Sequence, residues 1–512
     1  MNPDFPPVQF GEPLVRSRRR ERRGFNEPPP IPAEERRAIS QRLHAQTAAI
    51  ENDLRQRSAE ERRAIFLKLK HNRPITRGDL QGTGLALMST TGADESLVIV
   101  RKAELRKLDE RLAGFSEGDQ LARPKGSEFA TTVHSIEIGD PKDRLSQEFL
   151  DKYDSLVADK HIIYEIEIAS FAVQMKTREK EIPEIAGEIN DFLGRGIHGQ
   201  VYETDLATDG GKIVLWSTGA KLREFVENPR WWRKIVFFDL RPKFETFSQV
   251  LEDFNIANSR VLGPEDDAES ICVIDTGIAA GNPFLALVLR RDISRSFVGG
   301  VSATEDVNGH GSGVASLAAF YQIDIGDGAE NKAGAFVASA RITADNGQLD
   351  VAQVEDQDED RTRQARLLSK ILAEIVEHYK PLGIRIFVLS FQIVGHIWSQ
   401  ATRRLVARNA WVARTLDRLS REHDVVFVTI TGNLTPLEVS ELQNEESFPE
   451  YLLRPLAKLL DPGQAAIAVT AGSVAHSSRV IVSEYSAIAQ ASQPSPRWLS
   501  CQLAVRLAKT LF

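Results

Sequence analysis

The stretch Ile271-Cys272-Val273-Ile274-Asp275-Thr276-Gly277 decides the reading of this chain. An unbroken apolar run rich in β-branched residues predicts a strand buried on both faces. The run ends on a carboxylate, and the glycine after it permits a sharp turn. An Asp delivered at the carboxyl end of a buried strand stands where open parallel sheets collect their reactive groups.

Taken alone, Asp275 is as readily a turn or cap residue, and Asp-Thr-Gly also occurs in aspartic proteases. The surrounding chain narrows the choice. Thirty-five residues on comes Asn308-Gly309-His310-Gly311-Ser312-Gly313-Val314-Ala315-Ser316, a glycine-flanked histidine entering a helix of small residues. Small residues let that helix pack close to a sheet. Histidine is the natural general base near neutral pH. An Asp beside it can hold one tautomer and stabilise the protonated ring. A third segment, Val425 to Gly432-Asn433, brings a side-chain amide to a strand end, where its N–H can stabilise a developing oxyanion; an asparagine turn is the plain alternative. A fourth, Ile386-Phe387-Val388-Leu389-Ser390, ends a strand in a serine, the kind of strand that can pair its backbone with an extended peptide.

These segments belong to a repeating pattern. Short apolar strands are expected at 271–274, 340–344, 384–390, 425–430 and 465–469, with helices at about 312–320, 361–380 and 399–420. Such alternation predicts an α/β fold, a doubly wound, mostly parallel sheet covered on both faces. A polar turn at 263–270 separates it from what precedes.

Working outward, residues 33–260 read as a mixed α/β region of unassigned function. Residues 33–57 are helix-rich, and Ser58-Ala59-Glu60-Glu61 has the form of a capping box opening a second helix. Strands are expected at 96–100, 161–168, 212–216 and 234–238, helices at 101–113 and 182–193. No internal repeat is visible. Trp231-Trp232 reads as buried anchoring. Gly194-Arg195-Gly196-Ile197-His198-Gly199-Gln200-Val201 has the form of a phosphate-cradling loop, but the companion motifs of a kinase are absent and a helix precedes it, so it reads as a glycine turn. Residues 1–32, with a proline cluster and the basic run Arg16–Arg23, read as a flexible tail.

Composition sets outer bounds. The chain has 512 residues, a net charge of −8 and two cysteines. The acidic balance argues against nucleic-acid or membrane-surface binding. Two thiols make neither a disulfide framework nor a four-ligand zinc site. There is no apolar run of spanning length and no apolar segment of a signal peptide near Met1, so a cytoplasmic location is expected. Glu355–Asp360 is acidic but lacks the glycine and spacing of a calcium loop.

In order and context, the four segments resemble the subtilisin-like serine peptidases, over about 268–496. Asp275 is similar to that family's D-[ST]-G aspartate, His310 to its H-G-[ST]-x-V-A histidine and Ser390 to the serine of its substrate-binding strand. Asn433 is similar to its A-G-N oxyanion asparagine, with Thr431 in place of the small residue. Gly334–Ile342 and Ala465–Ser473 resemble two further segments of the family. The resemblance implies peptide-bond hydrolysis by an Asp-His-Ser triad, a protein or peptide substrate and no cofactor, with structural calcium common in the family but no site readable here. It is strongest with intracellular bacterial members that carry long N-terminal regions. Some of these are encoded beside an AAA-type ATPase and act in phage defence.

The nucleophile is the departure. Its G-T-S-x-A-x-P motif does not occur, because the chain contains no Gly-Thr-Ser. Ser492, Ser495, Ser500 and Cys501 lie in unsuitable contexts. Tyr485–Pro496 resembles the family's segment before the nucleophile turn, whereas 497–512 does not, which suggests a frameshift or an early stop. The expectation is therefore an incomplete peptidase domain without metal, inactive as it stands. The alternative is a catalytically dead relative that binds peptides.

Overall fold

The computed structural model describes residues 32–72, 83–90, 94–100, 105–117, 127–169, 175–207, 210–240, 243–245, 260–320, 330–343, 366–394, 397–399, 404–406, 411–432 and 459–471, with a few shorter pieces. Among them no helix is long and apolar enough to cross a membrane.

The N-terminal half holds two four-stranded antiparallel sheets. The first contains β1 (Phe66–His71), β2 (Leu85–Thr90), β3 (Glu95–Val100) and β4 (Val133–Ile138), ordered β2-β3-β1-β4. Helices α1 (Ala33–Gln56) and α2 (Leu105–Glu117) cover one face through Leu43, Ile50, Leu108 and Leu112. The Ser58 capping box forms, with Ser58 Oγ accepting from Glu61 N and Glu61 Oε2 from Ser58 N. The second sheet contains β5 (His161–Ala169), β6 (Gly199–Ala207), β7 (Gly210–Thr218) and β8 (Ile235–Leu240), ordered β6-β7-β5-β8. Helices α3 (Met175–Phe192) and α4 (Gly219–Glu227) pack on it.

The two sheets share one strand order, with the first strand central, a hairpin on one side and the last strand on the other. The sequence shows no repeat, so the duplication is one of topology, which many different apolar side chains can satisfy. They join face to edge through Phe66, Met88, Leu97 and Ile99 against Trp232, Val236 and Phe237. Trp232 is buried there, and Trp231 is buried in the core of the second sheet beside Phe192 and Phe225. Arg144 is fully buried at this junction, where its guanidinium donates to the carbonyls of Val226 and Ile235 and lies 5.8 Å from the Phe66 ring.

The glycine segment 194–199 is a turn between α3 and β6. Gly194, Arg195 and Gly196 all have positive φ, and the amides of Arg195, Gly196, Ile197 and His198 donate to backbone carbonyls. No cradle of free amides remains for a phosphate.

The C-terminal half is built on a six-stranded parallel sheet. Its strands are β9 (Ser270–Asp275), β10 (Arg295–Ser296), β11 (Phe336–Arg341), β12 (Ile386–Leu389), β13 (Val426–Ile430) and β14 (Val469–Ala471), ordered β10-β11-β9-β12-β13-β14. Strand alternation splits the core in two. Ile271, Val273, Val337, Val388 and Val428 face α5 (His310–Ala319). Cys272, Ile274, Ala338, Phe387 and Phe427 face α6 (Leu368–Tyr379) and α7 (Trp411–His423). The sheet is therefore doubly wound. The chain runs from β9 to β11 on one side and returns to β12 on the other, so the switch point falls at β9, where ligands of such sheets bind.

Several expected elements shift. The strand expected at 340–344 is Phe336–Arg341, and that at 465–469 is Val469–Ala471. The helix expected at 399–420 is corrected: a hairpin, Ile397–Ser399 with Arg404–Val406, precedes α7. Its Arg-rich, Ala-containing sequence carries a helical period through residues that pair as strands.

The second N-terminal sheet rests on the parallel-sheet domain. Its outer face carries Ile163, Tyr202 and Val214, which pack around Leu367. Glu203 Oε2 accepts from Leu367 N at 2.6 Å. Leu367 is the N-cap of α6 and has no side-chain acceptor of its own, so a carboxylate from the other half caps this helix. Lys212 pairs with Glu165 and lies 5.5 Å over the Trp411 ring, at the start of α7.

Candidate functional site

Asp275 ends β9 at the switch point and is almost wholly buried; its side chain is 1% exposed. Its Oδ1 accepts from His310 Nδ1 at 2.7 Å and from Thr276 N at 2.7 Å. Its Oδ2 is buried and has no hydrogen-bond partner among the described residues. A buried, half-satisfied carboxylate is costly unless a cation stands beside it, and an imidazolium on Nδ1 is that cation.

His310 is the first residue of α5, and its side chain is 14% exposed. The residue before it, Gly309, takes φ 80° to turn the chain into the helix. Burial works to lower the imidazole pKa. The Asp275 charge and hydrogen bond, with the more distant Asp306 carboxylate, outweigh it and raise the pKa above the ordinary value. With Nδ1–H held by Asp275, the ring's other nitrogen, Nε2, is the one able to take a proton.

Two glycines make this approach possible. A Cβ at Gly311 would lie 2.1 Å from the Gly277 carbonyl oxygen, and one at Gly277 would lie 2.0 Å from the Glu305 carbonyl oxygen. Gly277 also has φ +110°. The flanking glycines read from the sequence thus bring strand end and helix start into backbone contact.

Ser390 follows β12 and is half-buried. Because Ile274 pairs with Leu389, Ser390 stands in register beside Asp275. At the end of β13, Thr431 is buried and Gly432 has φ 96°. Asn433 lies outside the described residues, as do Glu355–Asp360, Ser492, Ser495, Ser500 and Cys501. Among the described residues no cluster of three or more His, Cys, Asp or Glu side chains is placed to hold a metal ion.

The sequence reading passed over three groups that frame the pair. Asp306 and Thr276 link the strand end to the helix start. Arg341, buried at the end of β11 and in register with Asp275, donates to the carbonyls of Ser302, Glu305 and Thr343. Asp306 carried a signal: an Asp shortly before a helix is a capping candidate. Arg341 carried none, because a charged residue at a strand end reads as exposed.

Comparison with known proteins places the parallel-sheet half. Residues 266–506 match the profile of the subtilase family, Peptidase_S8. An uncharacterized protein, y4bN, of Sinorhizobium fredii (strain NBRC 101917 / NGR234) is 32% identical over 108 residues, 21% of this chain and 24% of that protein. The match thus spans about a quarter of that relative. Among solved structures, the epidermin leader peptide processing serine protease (EpiP) of Staphylococcus aureus aligns at 12% identity over 62% of this chain and 70% of its own, with a TM-score of 0.32. MycP1 of Mycobacterium smegmatis aligns at 21% identity over 33% and 40%, with a TM-score of 0.22.

Proposed function

Since residues 266–506 belong to the subtilase family, we propose that Asp275 and His310 are the orienting acid and general base of a serine-type endopeptidase site. We propose also that these 512 residues do not themselves cleave peptides. The observation that carries the reading is the 2.7 Å contact between His310 Nδ1 and a buried Asp275 at the switch point of the sheet.

In this reading Asp275 fixes the tautomer, and Nε2 takes the proton of an attacking hydroxyl and returns it to the leaving amine. Asp275 then neutralises the imidazolium that forms. Ser390 lines the strand along which an extended peptide substrate pairs, and Asn433 donates its amide to the oxyanion. The attacking hydroxyl is what the chain lacks, since no Gly-Thr-Ser motif occurs in it. Without a nucleophile, the remaining groups are left orders of magnitude below a full triad.

The test is incubation with casein and with a fluorophosphonate probe. The reading expects neither cleavage nor labelling. Labelling that vanishes in His310→Ala would instead identify one of the chain's own serines as the nucleophile.

A further inference from the structure

We propose that Asp306 is a positioning residue for His310, a second carboxylate that locks the turn carrying the imidazole and sets a negative charge at the start of its helix. The proposal rests on the reading of His310 as the general base.

The geometry is a small network closed around one residue. Asp306 Oδ1 accepts from Thr276 Oγ1 at 2.8 Å and from Gly309 N at 2.9 Å. Its Oδ2 accepts from Ser312 N at 2.7 Å. Thr276 Oγ1 in turn accepts from Gly311 N at 3.0 Å. The amides on either side of His310 are thereby tied to a single carboxylate and to the residue that follows Asp275. Gly309, the N-cap of α5, has no side chain to cap with, and Asp306 fills that role from three residues upstream.

The network connects the two halves of the pair. Thr276 belongs to the turn after β9, and Gly309, Gly311 and Ser312 to the start of α5. A slip of α5 along the strand end would strain the bonds to Asp306 together with the Asp275–His310 contact. On the outer side, Arg341 holds the Glu305 carbonyl at 3.0 Å and so anchors the residue next to Asp306. Among the described residues, the charged side chains that bear on His310 are Asp275 from β9 and Asp306 from the incoming loop, while Arg341 from β11 reaches this loop through the carbonyls of Ser302 and Glu305. The raised imidazole pKa has Asp306 among its causes, after Asp275.

A capping role alone would change stability and leave the imidazole pKa where it is. A charge role moves the pKa. The experiment is therefore an NMR titration of His310 in the isotope-labelled full chain, which needs no turnover and stands whether or not the chain cleaves peptides. Asp306→Asn should lower the imidazole pKa by about 0.5, roughly a threefold loss of proton affinity. Asp275→Asn should lower it further. Asp306→Ser, which caps through a hydroxyl without charge, should match Asp306→Asn and serves if that variant does not fold. Asp306→Glu keeps the charge and should hold the pKa near that of the parent chain. The proposal is overturned if the neutral variants titrate with the parent chain, or if Asp306→Glu falls as far as they do.

Discussion

Replacing Gly311 by alanine probes the closest backbone approach in the site. The new Cβ would sit 2.1 Å from the Gly277 carbonyl oxygen and 3.2 Å from Asp275 Cβ, where ordinary contact begins at 3.4 Å. The carbonyl has little room to yield on the Glu305 side, since even a Cβ on Gly277 would lie 2.0 Å from Glu305 O and 3.2 Å from Arg341 Cδ. The start of α5 must therefore recede by more than an ångström. If His310 moves with it, the 2.7 Å bond to Asp275 opens to about 4 Å, beyond hydrogen-bonding distance.

Overpacking costs about 1–3 kcal/mol. Loss of the charge-assisted bond adds about 1.5–3 kcal/mol when the ring is protonated. The better helix propensity of alanine returns about 1 kcal/mol. The expected net loss is about 1.5–5 kcal/mol near pH 6, read by urea denaturation. The His310 pKa should fall as well, because burial then acts with less opposition. Gly313 is the internal control: it lies on the same helix, and a Cβ there meets nothing within 4 Å. Gly313→Ala should be neutral or slightly stabilising. If Gly311→Ala denatures like Gly313→Ala and His310 keeps its pKa, the close approach does not hold the pair together and the reasoning fails.

Three further outcomes follow from the same geometry. The folded-state pKa of His310 is raised, so its contribution to stability is fully present below about pH 6.5 and is lost as pH rises through the folded value. The stability gap between the parent chain and His310→Gln should accordingly be widest in acid and close in alkali; a gap that widens with pH contradicts the assignment. Glu203→Ala removes the acceptor of Leu367 N and should cost about 1 kcal/mol, seen as a lower urea midpoint, whereas an unchanged midpoint would deny the cap across the two halves. Arg144→Met removes a fully buried guanidinium that donates to the carbonyls of Val226 and Ile235, leaving Val226 O with only the Trp232 Nε1 donor at 3.3 Å, and should destabilise by about 3 kcal/mol, measured the same way. A variant within about 0.5 kcal/mol of the parent would show that the junction repacks freely.

Much of the parallel-sheet half was legible because its chemistry and its packing use the same residues. Ile271–Ile274 is apolar on both faces because helices cover both, and Asp275 follows because the strand ends at the switch point. Gly311 and Gly277 are visible in the sequence because close backbone contact leaves no other choice, and Gly309 because its φ of 80° favours glycine. What the sequence hid depends on partners far along the chain. The cap on α6 comes from Glu203, more than 160 residues upstream, and no local pattern reports it. The shared strand order of the two N-terminal sheets is likewise hidden, because topology constrains polarity along a strand but not identity. The hairpin before α7 was read as helix because periodicity cannot tell short strand segments from a helical run. Arg341 was missed because its buried carbonyl partners come from the 302–305 loop and from Thr343, and only the folded chain assembles them.

The central claim is that β9 and α5 assemble an oriented Asp–His pair. The most direct measurement is the proton NMR spectrum of the full chain below the folded pKa of His310, where the proton on Nδ1 is held by Asp275. The account predicts a low-field resonance that disappears in both His310→Ala and Asp275→Asn. A spectrum without that resonance, or one in which it survives Asp275→Asn, would contradict it.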